Sequence, residues 1–292
     1  MGAIATFDIA TWSGPFPDAI QDRAAEALES GQVLFFPRLG FPFAADEQSL
    51  LSPKFSDGKA KNISLDPTTN VLKGTVAEGD DRRQLQAMME RFAQGATRLV
   101  CDLLPNYAPV LERARTSYRP VEIVGREYSK IKDDRLLHID AFPSQPMRGR
   151  RILRLFTNVD PSGQARLWHV GDSFEDVSRK LAAKLPKPNP ASAWLLSALG
   201  ITKGRRSAYD QLMLGLHDQG KLDGDYQAGG VREKVSFPAG STWMCFTDQV
   251  SHAALAGRHA LEQTFHIDID VMADPERSPL RVLERLTGKT LV

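Results

Sequence analysis

Apolar positions recur at two periods and divide the chain into a helical first part and a strand-rich second part. Pro17-Asp18 opens a helical run, AIQDRAAEALES, which Gly31 stops. QVLFFP follows as a short buried strand. From Asp81 to Leu104 the residues Leu85, Met88, Met89, Phe92, Ala96, Leu99 and Leu103 recur at helical spacing. They predict one long helix, ended by Pro105. Residues 37–80, rich in Gly, Pro, Asp, Ser and Lys, read as long loops.

Beyond Pro105 the period shortens. VEIVGREYSKIK alternates and is rich in β-branched residues. RRILRLFTNVDP and ARLWHVG read as strands, as do VREKVSFP, STWMCFTD and LEQTFHIDIDV. Residues 174–219 read as helices broken by KLPKPNP and GITKGRR. PLRVLERLTG predicts a last short helix. A β-rich half with a helical insertion suggests a barrel or a sandwich.

Composition narrows the class. The chain has 292 residues, 42% hydrophobic and 25% charged, with a net charge of +1. Disorder is excluded, and so is nucleic-acid binding by charge alone. Two distant cysteines, Cys101 and Cys245, exclude a disulfide framework and a cysteine zinc cluster. The N-terminus has no basic, apolar leader pattern. The apolar runs VLFF and WLLSALGI are far shorter than the ~20 residues of a membrane span. A cytoplasmic protein is expected, with at most peripheral contact to a membrane.

The chemistry starts at Leu136-Leu137-His138-Ile139-Asp140. In an extended chain, residues i and i+2 share a face, so His138 and Asp140 project together. One imidazole and one carboxylate can grip a cation. His252, after the STWMCFTDQV strand, is the best third ligand. Two histidines and one carboxylate form the facial triad of non-haem Fe(II) oxygenases. Catalytic zinc favours His₃ or His₂Glu sets. His266, His259 and His217 read as hydrogen-bonded core or surface residues, and His169 lies on the opposite strand face from Trp168.

DDRLLHIDAFPSQPMRGRRILRLFTNVDP, ARLWHVGDSFEDV and SHAALAGRHALEQTFHI together resemble the Kdo hydroxylases. That family hydroxylates the 3-deoxy-D-manno-oct-2-ulosonic acid (Kdo) of lipopolysaccharide at C3, giving D-glycero-D-talo-oct-2-ulosonic acid (Ko). The resemblance implies an α+β chain with a double-stranded β-helix, jelly-roll core and flanking helices. Residues 1–120 are expected to pack as a helical or mixed segment on a catalytic core of residues 121–292, with a helical insertion at about 174–219, in one compact domain. The implied cofactors are Fe(II) and 2-oxoglutarate, with O₂ as co-reactant and a Kdo-bearing lipid A precursor as substrate. His138, Asp140 and His252 would hold the iron.

The far carboxylate of 2-oxoglutarate needs a cation in a buried pocket. Many relatives place an Arg on the last core strand, where this chain has LEQTFH instead. Arg154 and Asn158 share one strand face, and Arg166 and Trp168 share another. These four are candidates, with Gln263 as a further donor; Arg258 reads as a solvated turn arginine. Two basic clusters, Arg148-Gly-Arg150-Arg151 and Lys203-Gly-Arg205-Arg206, suit an acidic substrate. The second follows an apolar helix with Trp194, a pattern that fits anionic lipid. A zinc or manganese enzyme on a cupin-like barrel and a non-catalytic sugar-binding module are the competing readings.

Overall fold

The computed structural model describes residues 2–125 and 128–292. Eleven strands are found among them: β1 (Ile4–Thr6), β2 (Val33–Phe36), β3 (Ile63–Leu65), β4 (Leu72–Lys73), β5 (Glu112–Arg119), β6 (Arg151–Asn158), β7 (Arg166–Val170), β8 (Glu233–Phe237), β9 (Thr242–Phe246), β10 (His252–Ala256) and β11 (Ala260–Ile267). Eight of them form one sheet in the order β1-β2-β9-β6-β11-β5-β3-β4, and the other three form a second in the order β10-β7-β8. The two sheets make the expected double-stranded β-helix.

The helices are α1 (Asp18–Glu29), α2 (Gly79–Leu103), α3 (Phe174–Leu181), α4 (Pro190–Ala198), α5 (Ala208–Leu222), α6 (Gly224–Gly229) and α7 (Pro279–Thr287). The periodic apolar face of α2 and the Ala24/Leu28 stripe of α1 cover the outer face of the large sheet, where Leu153, Leu155, Leu261 and Phe265 meet them. Helices α3, α5 and α7 share a second cluster with Leu137 and Ile139. A third cluster lies between the sheets. There Phe237 stacks on Trp243 at 4.0 Å and Phe156 meets Trp168 at 5.0 Å. This aromatic wedge fills one end of the β-helix and leaves the other end to polar residues.

Strands β1–β5, from the first 120 residues, pair within the large sheet. Two sequence expectations change. VEIVGREYSKIK is not a strand: its described residues form turns and a short 3₁₀ segment, and positions 126–127 lie outside the described residues. The strand instead precedes it, as β5. Its sequence ERARTSYR hid it, since charges stand on a face that in most strands is apolar. The first basic cluster is also split, because Arg151 is fully buried against Asp248 and Gln249.

Candidate metal centre

Residues Leu136–Asp140 run antiparallel beside the start of β10. His138 N donates to His252 O at 3.0 Å, and His252 N donates to His138 O at 2.8 Å. Asp140 N donates to Thr247 O at 2.7 Å. This pairing sets the two histidines opposite each other. The extended chain then carries Asp140 to the same side, while Leu137 and Ile139 anchor the segment in the helical cluster. One ligand atom from each of His138, Asp140 and His252 lies within 4.8 Å of the others, and all three residues are buried.

The donor set suits a divalent metal. His138 Nδ1 is 2.8 Å from Leu136 O and His252 Nδ1 is 2.8 Å from Val250 O. A carbonyl only accepts, so each Nδ1 carries the proton and each Nε2 keeps its lone pair. Burial pushes the pKa of both imidazoles below the ordinary value, which keeps them neutral. Burial alone would raise the Asp140 carboxyl, but the Arg154 guanidinium outweighs it and holds it ionised. Arg154 Nη1 stands 3.1 Å from Asp140 Oδ2. Trp168 stacks on His252 at 5.1 Å, and His217 meets His138 edge-on at 5.6 Å.

The expected cosubstrate residues divide. Arg154 and Trp168 come to the centre, but Arg154 is already committed to Asp140 and to Glu262, 3.5 Å away. Arg166 is different. It is 2% exposed, and Nη1 donates to Gly257 O at 3.2 Å. Its Nε has no partner, and it makes no ion pair among the described residues. Burial, with Arg119 nearby, pushes its pKa down to about 9. A guanidinium so placed wants an anion. Gly257 permits the approach: a Cβ there would stand 3.0 Å from Arg166 Cα.

Asn158 and Gln263 are not brought to the centre. Asn158 Nδ2 donates to the carbonyls of Gln164 and Phe237. Gln263 lies on the outer face of β11, where Oε1 accepts from Thr116 and Nε2 donates to Ala114 O and Thr264 O. Arg258 pairs with Asp160 at 3.2 Å. Two residues that sequence reasoning missed stand near the centre. Glu262 receives Arg119 at 2.6 Å and faces Arg154, so its carboxylate links the two arginines. The available signal was Glu262-x-Thr264-x-His266, a polar alternation on a strand whose other face is apolar.

A family model for 3-deoxy-D-manno-oct-2-ulosonic acid (Kdo) hydroxylase matches residues 11–290. Among solved structures, the chain is similar to the Kdo hydroxylase KdoO, a non-haem Fe(II) alpha-ketoglutarate dependent dioxygenase. Its cobalt(II) complex is 47% identical with a TM-score of 0.96, covering 100% of this chain and 98% of that one. Its complex with alpha-ketoglutarate and Fe(III) is 46% identical with a TM-score of 0.95, over the same shares. No match is found among curated proteins. The extent of the family match and the identity to KdoO place this chain in the Kdo hydroxylase family.

Proposed function

We propose that the chain is an Fe(II)- and 2-oxoglutarate-dependent dioxygenase that hydroxylates Kdo at C3, giving Ko, on a Kdo-bearing lipid A precursor. The observation that carries this reading is the buried set of two neutral imidazoles and one carboxylate, His138, His252 and Asp140, together with Arg166, a buried guanidinium without an ion pair among the described residues, on the strand face that carries Trp168. KdoO, 47% identical, is a Kdo hydroxylase and a non-haem Fe(II) alpha-ketoglutarate dependent dioxygenase.

His138, Asp140 and His252 would hold the metal through Nε2, a carboxylate oxygen and Nε2, a donor set that suits an iron cofactor using 2-oxoglutarate and O₂. Iron with 2-oxoglutarate and O₂ supplies the oxidising chemistry that turns a C–H bond into C–OH. Arg154 keeps Asp140 ionised and fixes its orientation. Arg166 receives the far carboxylate of 2-oxoglutarate, which relieves the cost of its own burial. Trp168 holds the His252 ring plane and, with Phe156 and Trp243, closes that end of the site to water.

A lipid substrate has to be met at a surface. Trp194 is 62% exposed and Leu199 64% exposed, and Leu195 and Ile201 stand open beside them. Lys203 and Arg205, both exposed, border this patch. Lys203 N donates to Ser144 O at 2.8 Å, and Arg206 donates to Pro143 O. The patch is thus tied to the loop that leaves Asp140, which supports docking on an anionic bilayer. No helix among the described residues is long and apolar enough to cross a membrane.

Incubation with Fe(II), 2-oxoglutarate and Kdo-bearing lipid should yield succinate and a product heavier by one oxygen atom, about 16 Da. Turnover with zinc or manganese in place of iron, or binding without succinate release, would refute the reading.

A further inference from the structure

Across Arg154 from the triad lies a cleft of about 350 Å³. Its size falls within the ~300–1,000 Å³ of small-molecule pockets. Glu262, Thr264 and His266 of β11 line it, with Phe142–Gln145 as a facing wall. That wall begins two residues after Asp140, and Arg154 both lines the cleft and touches Asp140. The cleft therefore adjoins the reacting centre.

His266 is 2% exposed, yet neither ring nitrogen has a hydrogen-bond partner. The Glu112 carboxylate, 3.6 Å from Nδ1, is too far for one. Leaving both nitrogens bare is costly, and buried polar groups without partners are rare. Burial lowers its pKa, so the ring is neutral and offers one donor and one acceptor. That combination matches a hydroxyl. Phe142, edge-on at 6.0 Å, and Thr264, on the same strand face, complete this part of the cleft.

The cations at the cleft fall into two groups. Arg113 is bidentate on Glu90, and Arg119 and Arg154 hold carboxylates already described. Arg115 and Lys203 are exposed at the rim and make no ion pair among the described residues. Of the acidic residues there, Glu112 is paired with Arg150, and Asp66 lies close enough to feel Arg115 without pairing with it. An occupant that brings hydroxyls for the floor and negative charge for the rim completes these contacts. We infer that this cleft is the acceptor-sugar site: an acidic sugar places hydroxyls on His266 and Thr264 and an anionic group on Arg115 and Lys203. The inference rests on the proposed hydroxylase reading and adds where the sugar sits.

Two probes test it: the methyl glycoside of Kdo, which has a carboxylate but no phosphate, and a phosphorylated Kdo-bearing lipid. Binding of the glycoside to the apoprotein is measured by calorimetry, and KM for each compound by succinate release. His266→Phe should weaken glycoside binding and raise its KM about tenfold or more, while KM for 2-oxoglutarate moves less than about twofold. His266→Asn, which keeps a donor and an acceptor, should recover part of the loss. Arg115→Ala and Lys203→Ala lie at the surface and should each raise KM several-fold. Effects on both probes assign the rim anion to the sugar carboxylate; effects on the lipid alone assign it to phosphate, and both support the site. Arg285→Ala, in a separate groove of about 860 Å³, should change nothing. Wild-type glycoside binding in the His266 and rim variants, or a KM rise in Arg285→Ala alone, overturns the inference. Failure of the wild-type protein to turn over 2-oxoglutarate with iron would instead overturn the hydroxylase reading.

Discussion

Two arginines, both 2% exposed or less, sit on neighbouring strands of different sheets. Arg151 opens β6 on its outer face. Its guanidinium holds Asp248 at 2.9 Å and Gln249 at 2.6 Å, and lies 3.7 Å over the Phe246 ring. Arg166 opens β7 on the face that carries Trp168 and has one carbonyl contact and a bare Nε. Burial is nearly equal, but satisfaction is not. The faces of β11 repeat the contrast: Gln263 makes three hydrogen bonds on the outer side, and His266 makes none on the inner side. Leaving a buried polar group unpaired is costly, so Arg166 and His266 are places where a ligand would complete the structure.

The strongest break in this comparison is at the triad. Asp140→Ala should abolish turnover and weaken metal binding, since a facial triad has no spare ligand. Metal titration and succinate release check it, and full activity would refute the assignment. The arginines come next. Arg166→Ala should raise KM for 2-oxoglutarate by ~10- to 150-fold, the effect of one lost charge-assisted bond. Its thermal midpoint without ligands should stay close to wild type, because no ion pair is lost. Arg151→Ala should do the reverse. Removing one partner of a buried pair costs about 3–5 kcal/mol, so denaturant unfolding should show a large loss while KM per folded molecule holds. Equal behaviour of the two variants would erase the distinction between a structural and a ligand-binding arginine.

Legibility in the sequence followed the same divide. The outer faces were readable because apolar residues alternate there: Leu153, Leu155, Leu261 and Phe265 mark their strands without help. The triad was readable because His138-x-Asp140 is a local pattern and its extended geometry is dictated by the backbone. Strand β5 was not. Arg113 and Arg119 point toward Glu90 and Glu262, distant partners that no local pattern reveals. Arg119 and Glu262 were missed for that reason. Asn158 and Gln263 show the opposite limit. Alternation assigns a face, but it cannot say whether an amide is already used. Nor could the pattern show that β1–β5 enter the same sheet as the core, because pairing across the large sheet joins residues more than a hundred positions apart, as in Thr116 with Gln263.

Acidification sharpens the comparison at smaller amplitude. Burial depresses the pKa of His259 and His266 below the ordinary 6.5, although His259 is bonded to Tyr118 and His266 to nothing. Below that value the unfolded chain binds protons that the folded chain refuses. Their contribution to stability is therefore present above the ordinary histidine value and lost as pH falls below it. Each adds a slope of up to ~1.4 kcal/mol per pH unit. Urea unfolding of the apoprotein between pH 7 and 5 should show declining stability, and His259→Asn should flatten the decline. A flat profile in the wild-type protein would contradict the burial of both rings.

The smallest effects are expected at the exposed patch, where several large apolar groups are left open together. Trp194, Leu195, Leu199 and Ile201 face solvent, bordered by Lys203 and Arg205. Each basic residue near an anionic bilayer contributes about 1 kcal/mol, and that attraction fades within a Debye length, ~8 Å at physiological salt. Two such cations and a shallow aromatic contact predict weak, reversible adhesion. Cosedimentation with anionic vesicles should detect it at low salt and lose most of it at high salt. Trp194→Ser should reduce binding at both, because its part is apolar and salt does not screen it, whereas Arg205→Ala should matter only at low salt. Absence of binding at low salt would leave these side chains without a bilayer to meet. The glycoside of Kdo would then be turned over as well as the lipid, since the sugar cleft alone would carry recognition.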